Sequence, residues 1–259
     1  MSLVRAKKHL GQHFLTDKNI ANKICSALVE SNAVQDVLEV GPGMGILSDI
    51  LFANSNFKTW LIDIDIESID YLNKKYPQYS NRIISGDFLA FDFKQYFQTD
   101  LSIIGNFPYN ISSQILFRVL EERILVSQVV GMFQKEVAER VAAKPGNKTY
   151  GILSVLLQAY FTIEYLFTVN PGVFNPPPKV KSAVIRLTRT RTTIPDCDEK
   201  LFLMVVKAGF NQRRKTLRNA LSAQLNEKSK FHPFLDLRAE ALSSDQFIKL
   251  TNFISNSRL

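Results

Sequence analysis

Short apolar segments alternate with amphipathic segments along the first half of the chain, and this alternation restricts the possible folds more than any other feature. Strands are predicted at residues 37–40, 59–63, 82–85, 101–105 and 128–133. Helical spacing of apolar residues begins after Thr16-Asp17 and recurs at residues 46–52, 67–76 and 112–120. Strands that alternate with helices at this spacing predict an α/β fold with a parallel sheet covered on both faces.

The last third of the chain has a different pattern. Residues 180–187 alternate as a strand does, and residues 189–196 are polar and contain Pro195. Helices are predicted at residues 201–210, 214–225 and 244–255. We therefore expect an α/β domain over residues 1–188 and a small all-α C-terminal domain over residues 189–259.

Composition argues against several classes of protein. Hydrophobic residues make up 46% of the 259 residues, which is enough to bury a core. No apolar run approaches the roughly 18–20 residues of a membrane span, and no secretory signal is expected. Cys25 and Cys197 form no disulfide framework, and the histidines match no zinc-ligand spacing. We expect a cytoplasmic protein without a metal, and nothing in the sequence demands more than a monomer.

The net charge of +8 is concentrated in the last third of the chain. Residues 1–178 hold 16 basic and 17 acidic residues, whereas residues 179–259 hold 16 and 7. The densest basic cluster consists of Lys207, Arg213, Arg214, Lys215 and Arg218. Such a block beside a nearly neutral body favours a nucleic-acid partner, although a solvated helix face is the alternative.

Glycines and polar side chains stand where the predicted strands end. Glu39 precedes Gly41-x-Gly43-x-Gly45, and Asp63, Asp87 and Asn106 close the next three strands. The dinucleotide fingerprint fails because Ile46 stands where its third glycine should be. The spacing suits S-adenosylmethionine instead, with Asp63 on the ribose hydroxyls and Asp87 on the adenine amine. An ordinary turn and a helix cap are the alternatives for the loop and for Asp87.

The tetrapeptide Asn106-Phe107-Pro108-Tyr109 suggests chemistry on an amine. An exocyclic amine of a base is a poor nucleophile because its lone pair is delocalised into the ring. Acceptors on its hydrogens, here the Asn106 side chain and the Phe107 carbonyl, would localise that pair, while Tyr109 offers a stacking ring. Phe174, in a loop stiffened by three prolines, could stack on the other face or plug the loop against the sheet.

Several segments together resemble one known family, the small-subunit ribosomal RNA adenine dimethyltransferases (the KsgA or RsmA family). The resemblance covers nearly the whole chain. It rests on residues 8–15 (KHLGQHFL), 39–43 (EVGPG), 105–112 (GNFPYNIS), 134–137 (QKEV), 150–154 (YGILS), 174–180 (FNPPPKV) and 210–219 (FNQRRKTLRN).

The resemblance implies a Rossmann-like, seven-stranded class I S-adenosylmethionine-dependent methyltransferase domain. It implies dimethylation of N6 of two adjacent adenosines in the 3′-terminal hairpin loop of small-subunit (16S) ribosomal RNA, with a role in assembly of the 30S particle. The implied cofactor-binding residues are His13, Leu15, Gly41, Asp63, Asp87 and Asn106. The implied target-base residues are Asn106, Tyr109 and Phe174, and the basic cluster would grip the RNA.

Two positions depart from the family pattern, and two rival functions remain. His13 stands where some members have Asn, and Asp63 stands where Glu is common. An Erm-type enzyme, which methylates an adenine of large-subunit RNA, would share the donor loop and the Asn106–Tyr109 turn. A non-catalytic RNA-binding assembly factor is the second rival, and the intact turn argues against it.

Overall fold

The computed structural model describes residues 4–30 and 35–258, which form two compact units. The first contains the described residues up to Ala138 and Ile163–Arg189, and the second contains Glu139–Thr162 and the described residues from Thr190 onward. The break after Arg189 lies next to the expected boundary. Residues 139–162, expected in the first domain, instead belong to the second unit.

The strands are β1 (Phe14–Leu15), β2 (Gln35–Val40), β3 (Phe57–Asp63), β4 (Ile83–Ser85), β5 (Leu101–Asn106), β6 (Val126–Gln134), β7 (Phe161–Val169), β8 (Phe174–Asn175) and β9 (Ser182–Arg189). Seven of them form one sheet in the order β4-β3-β2-β5-β6-β9-β7, and β1 pairs with β8 in a separate two-stranded sheet. Strands β4, β3, β2, β5 and β6 pair in parallel, and β9 pairs antiparallel with β6. The α/β fold with a seven-stranded sheet is therefore confirmed.

The strand order determines where a ligand can bind. β2 has β3 on one side and β5 on the other, so the chain changes direction across the sheet at β2. Every residue from Leu101 to Gly105 of β5 is buried, as expected of a parallel sheet with covered faces. In open α/β sheets the crevice at such a switch point, outside the carboxyl ends of the strands, is the usual ligand site.

Several helices begin where a capping side chain accepts hydrogen bonds from the first N–H groups. Asp17, Asp65, Asp198 and Ser243 accept such bonds immediately before the helices that begin at Lys18, Ile66, Glu199 and Ser244. The helices are α1 (Lys18–Cys25), α2 (Ile46–Ala53), α3 (Ile66–Lys75), α4 (Phe93–Tyr96), α5 (Ser112–Glu121), α6 (Lys135–Ala142), α7 (Ile152–Gln158), α8 (Glu199–Asn211), α9 (Leu217–Ala220) and α10 (Ser244–Asn256). Among the described residues, no helix is long and apolar enough to cross a membrane.

The helix predicted at residues 214–225 is wrong in length, because only Leu217–Ala220 is an α-helix. Thr216 forms a β-bridge with Arg238, and the Leu217 N–H donates to the Leu237 carbonyl at 2.8 Å. These long-range bonds replace the local bonds that would extend the helix toward Arg214. In the same unit, α8 packs against α7 and α10.

Candidate active site at the carboxyl ends of the strands

A cavity of about 170 Å³ opens at the carboxyl ends of β2, β3 and β5 in the first unit. Six of the residues predicted from sequence line it: His13, Gly41, Asp63, Asp87, Asn106 and Tyr109. Residues that lie up to 96 positions apart in the chain therefore share one pocket, which we call the donor cavity.

The glycine loop forms one wall of the donor cavity in a backbone conformation that favours glycine. Gly41 and Gly43 have φ values of +67° and +56°. A Cβ on Gly43 would lie 2.7 Å from the Phe14 ring, so this glycine also lets the N-terminal segment approach the loop closely. A side chain at this position would push the segment off the loop.

Asp63 and Asp87 both line the donor cavity, but they differ in burial and in hydrogen bonding. Asp63 is buried and accepts hydrogen bonds from the N–H groups of Asp65 at 2.9 Å and Gly43 at 3.4 Å. Its burial raises the pKa of the carboxyl group to about 6. Asp87 is exposed, and its Oδ1 accepts from the Leu89 N–H at 2.9 Å. Asp87 thus acts as a turn cap while it also lines the cavity.

The Asn106 side chain is oriented by a backbone contact. Its Nδ2 donates to the His13 carbonyl at 2.8 Å, so its Oδ1 is left as an acceptor. The His13 ring lies 5.3 Å from the Tyr109 ring, and its Nδ1 lies 2.8 Å from the Pro176 carbonyl oxygen. The Tyr109 hydroxyl contacts Ser182 Oγ, and burial raises the pKa of this tyrosine. These contacts fix two of the three side chains predicted to meet the target base, Asn106 and Tyr109.

Leu15 and Phe174 lie elsewhere. They pair across β1 and β8, each 4% exposed, within one hydrophobic cluster. Neither residue lines the donor cavity, but Leu15 lines a small cavity of about 30 Å³ together with Gly41 and Asn106. In this arrangement Phe174 anchors its loop to the sheet, which is the alternative that the sequence left open.

Sequence reasoning missed a polar network that holds the N-terminal segment in place. We call residues 7–15 the strap, since Leu10–Phe14 line the donor cavity. The Asp65 carboxylate accepts from Lys7 Nζ and, at 3.0 Å, from Gln12 Nε2, and it also caps α3. Burial opposes ionisation of Asp65, but the hydrogen bonds from Lys7 and Gln12 outweigh it and lower the pKa. The only sequence signal was the position of Asp65 two residues after Asp63.

Glu39 is a buried carboxyl group behind the glycine loop. Ser48 Oγ donates to its Oε2 at 2.6 Å. Burial raises its pKa to about 8, although the Ser48 hydrogen bond acts in the opposite direction. A small cavity of about 30 Å³ lies against Glu39, Gly41 and Asn106. A cationic ligand group there would favour the ionised carboxylate.

The five residues of the predicted RNA-binding cluster lie in the second unit and differ in their contacts. Arg213 donates to the carbonyls of Lys148 and Tyr150, and Arg218 pairs with Asp236 at 2.6 Å. Lys207, Arg214 and Lys215 are exposed, and they form no ion pair within the described residues. Two of the five side chains therefore support the fold, and three are available to a polyanion. Residues 4–30 and 35–258 contain no group of three or more His, Cys, Asp or Glu side chains that could hold a metal ion.

Comparison with known proteins identifies relatives along the whole chain. A family model described as ribosomal RNA adenine dimethylase matches residues 3–256. The chain is 57% identical over 256 residues to a ribosomal RNA small subunit methyltransferase A from Cytophaga hutchinsonii, covering 98% of this chain and 99% of the relative. A protein of the same name from Flavobacterium johnsoniae is 52% identical over 98% of this chain and 97% of its own length.

Solved structures share the fold. A dimethyladenosine transferase from Plasmodium falciparum superposes with a TM-score of 0.78 at 26% identity, covering 95% of this chain and 99% of that one. The 23S rRNA methyltransferase ErmE superposes with a TM-score of 0.70 at 22% identity, over 92% and 99% of the two chains. The likeness to ErmE shows a common fold, and it does not distinguish a small-subunit from a large-subunit ribosomal RNA methyltransferase.

Proposed function

The chain belongs to the ribosomal RNA adenine dimethylase family, and from this premise we propose that it dimethylates N6 of two adjacent adenosines in the 3′-terminal hairpin loop of small-subunit ribosomal RNA. The methyl donor is S-adenosylmethionine. The family match, and relatives at 48–57% identity named for the small subunit, support this choice over a large-subunit enzyme.

The orientation of Asn106 is the observation that carries the catalytic part of this proposal. Its Nδ2 is held by the His13 carbonyl, so Oδ1 can accept a hydrogen from the adenine N6 amine. The Phe107 carbonyl accepts the second hydrogen, and the nitrogen lone pair is then less delocalised into the ring. Catalysis in this site is positioning and electrostatic preorganisation rather than proton abstraction by a strong base.

The donor cavity suits S-adenosylmethionine in chemistry. Asp63 meets the ribose hydroxyls and Asp87 meets the adenine amine, while Gly41, His13, Leu15 and Asn106 complete the predicted set. The bound donor supplies an electrophilic methyl group on a sulfonium centre. Burial raises the pKa values of Glu39 and Asp63, so a bound cation would favour the ionised forms of these carboxyl groups.

The target adenine stacks on Tyr109, whose ring is braced by His13 and Ser182. The stacking role predicted for Phe174 would require its side chain to leave the hydrophobic cluster, and it stays a prediction. We further propose that the protein acts on the assembling 30S particle as a monomer, with the basic cluster of the second unit on RNA phosphates.

A subunit-labelling experiment tests the proposal. Small and large ribosomal subunits from cells lacking this gene would be incubated with the purified protein and labelled S-adenosylmethionine. Nuclease digestion and mass spectrometry should then reveal N6,N6-dimethyladenosine in small-subunit RNA only. Labelling confined to the large subunit would instead establish the Erm-type alternative, and binding without any labelling would establish a non-catalytic factor.

A further inference from the structure

A second cavity, of about 600 Å³, adjoins the donor cavity in the first unit. The two share residues 11–13, Tyr109 and Asn110 in their linings. We call the second cavity the acceptor groove. It lies between the strap, the turn at Tyr109 and the proline loop of residues 176–179. A strand of nucleic acid that lies in this groove can place a base beside Tyr109.

The groove has a one-sided charge. Lys8 on the strap and Lys179 on the proline loop line it, and no carboxylate does. Both lysines are exposed. In the described part of the chain, neither forms an ion pair, unlike Lys7 beside them, which is bound to Asp65. Unpaired ammonium groups around a groove without acids favour an anionic occupant.

Hydrogen bonds connect the segments that carry the two lysines. His13 Nδ1 contacts the Pro176 carbonyl oxygen at 2.8 Å, which joins the strap to the proline loop. Asn110 Nδ2 donates to the His9 carbonyl at 3.4 Å, which joins the turn to the strap. The consecutive prolines limit φ in the loop. The backbones beneath Lys8 and Lys179 are therefore held relative to the Tyr109 ring.

We propose that Lys8 and Lys179 bind the RNA phosphates on either side of the adenosine that enters the active site. This inference rests on the proposed function. An adenine whose N6 reaches Asn106 has to leave its stack, so its flanking phosphates remain at the mouth of the pocket. The groove is the opening beside Tyr109 that this backbone can follow. On the first unit, the ammonium groups of Lys8 and Lys179 thus contribute affinity for RNA without sequence specificity, because they contact phosphates.

The test compares two double variants of the full chain with equal loss of charge. Lys8→Gln/Lys179→Gln removes the groove lysines, and Lys74→Gln/Lys94→Gln removes two exposed lysines that line neither cavity. Fluorescence anisotropy would measure binding of a labelled stem–loop RNA with two adjacent adenosines in its loop, over a range of salt concentrations. S-adenosylhomocysteine affinity would be measured without RNA.

We expect the groove variant to bind the RNA about tenfold more weakly. The slope of log affinity against log salt should become shallower by about 1.4, the value for two phosphates of a single strand. Its S-adenosylhomocysteine affinity should match that of the wild type, and the control variant should match in both measurements. An unchanged slope, an equal loss in the control, or a loss of S-adenosylhomocysteine binding would overturn the inference. Absence of dimethyladenosine from wild-type reactions would refute the proposed function, while the binding data would still decide the role of the lysines.

Discussion

At the scale of single residues, Asn106 uses the two ends of one amide group for different purposes. Nδ2 is held by the strap, and Oδ1 faces the proposed amine. Asn106→Ala removes both, so we expect kcat to fall by roughly 10²- to 10³-fold, the usual cost of losing one preorganised polar contact in a transition state. RNA affinity should change by less than about twofold, because phosphate contacts dominate it.

The matched control for Asn106→Ala is Asn22→Ala, which truncates an exposed asparagine on α1. Single-turnover methylation of small subunits would give the rate, and a filter-binding assay would give the affinity. Equal turnover in wild type and Asn106→Ala would contradict the role assigned to this amide.

The sequence was sufficient to predict site residues at the ends of strands. It was not sufficient to predict side-chain contacts between residues that are far apart in the chain. Asp63, Asp87 and Asn106 were predicted to lie together because parallel strands bring their carboxyl ends to one edge, and all three line the donor cavity. The pairing of Gln12 with Asp65 spans 53 positions, and no periodicity reports it. The direction of Phe174 was open because a two-residue strand can turn either face to the core.

At the scale of elements, the strap depends on Asp65. The Asp65 carboxylate is fully buried and binds Lys7 and Gln12. The backbone N–H of Asp65 donates to the carboxylate of Asp63, two residues earlier in the chain. Asp65→Asn keeps the shape of the cap on α3 but removes the charge that holds Lys7. We expect hydrogen exchange of residues 7–15 to speed up and the Kd of S-adenosylhomocysteine to rise about tenfold, or about 1.4 kcal/mol.

Glu67→Gln provides the control for this experiment. Glu67 also pairs with Lys7, at 3.4 Å, but its side chain is 59% exposed. Exposed ion pairs contribute little, so exchange and affinity should stay close to the wild type. If both variants behaved alike, burial of the Asp65 contact would have no special importance for the strap.

At β7 and α9 the structure differs from the sequence prediction, and both elements depend on distant partners. β7 lies at the edge of the sheet, and Thr162, Tyr165 and Thr168 are exposed along it, so its pattern resembled neither a buried strand nor a helix. α9 is short because Thr216 bridges to Arg238. The central strands were predicted closely because they are short apolar runs, and α10 because its apolar residues recur at helical spacing.

At the scale of the whole molecule, the buried carboxyl of Glu39 should make stability depend on pH. The folded pKa of about 8 exceeds the ordinary value of 4.5, so the folded state holds this proton more tightly than the unfolded state. The resulting stabilisation is complete below about pH 4.5 and is lost as pH rises to about 8. Asp63, whose folded pKa is about 6, contributes a stabilisation that is likewise lost as pH rises, over a lower pH range that ends near pH 6. Asp49 opposes ionisation of Glu39, and Lys75 favours it.

Glu39→Gln should therefore flatten the stability profile of the protein without donor. Urea unfolding at pH 6 and pH 9 should show the wild type losing stability between them, while the variant loses less, by up to about 3 kcal/mol. In the wild type, affinity for cationic S-adenosylmethionine should rise with pH over this window more than affinity for S-adenosylhomocysteine, which lacks the sulfonium charge. Parallel pH profiles for the two proteins would show that Glu39 does not titrate in this range.

The basic cluster links the charge asymmetry of the sequence to function, and its members separate into two groups. Lys207, Arg214 and Lys215 form no ion pair within the described residues, whereas Arg213 and Arg218 bind carbonyl and carboxylate groups of the second unit. Arg214→Gln/Lys215→Gln should weaken binding to small-subunit particles and reduce the salt slope by about 1.8, the value for two duplex phosphates, with an unchanged melting temperature. Arg213→Gln/Arg218→Gln removes the same charge but also hydrogen bonds to the carbonyls of Lys148 and Lys230, worth about 1 kcal/mol each, so its melting temperature should fall by several degrees. Thermal melts and salt titrations of both variants would test this division, and equal melting temperatures would contradict it.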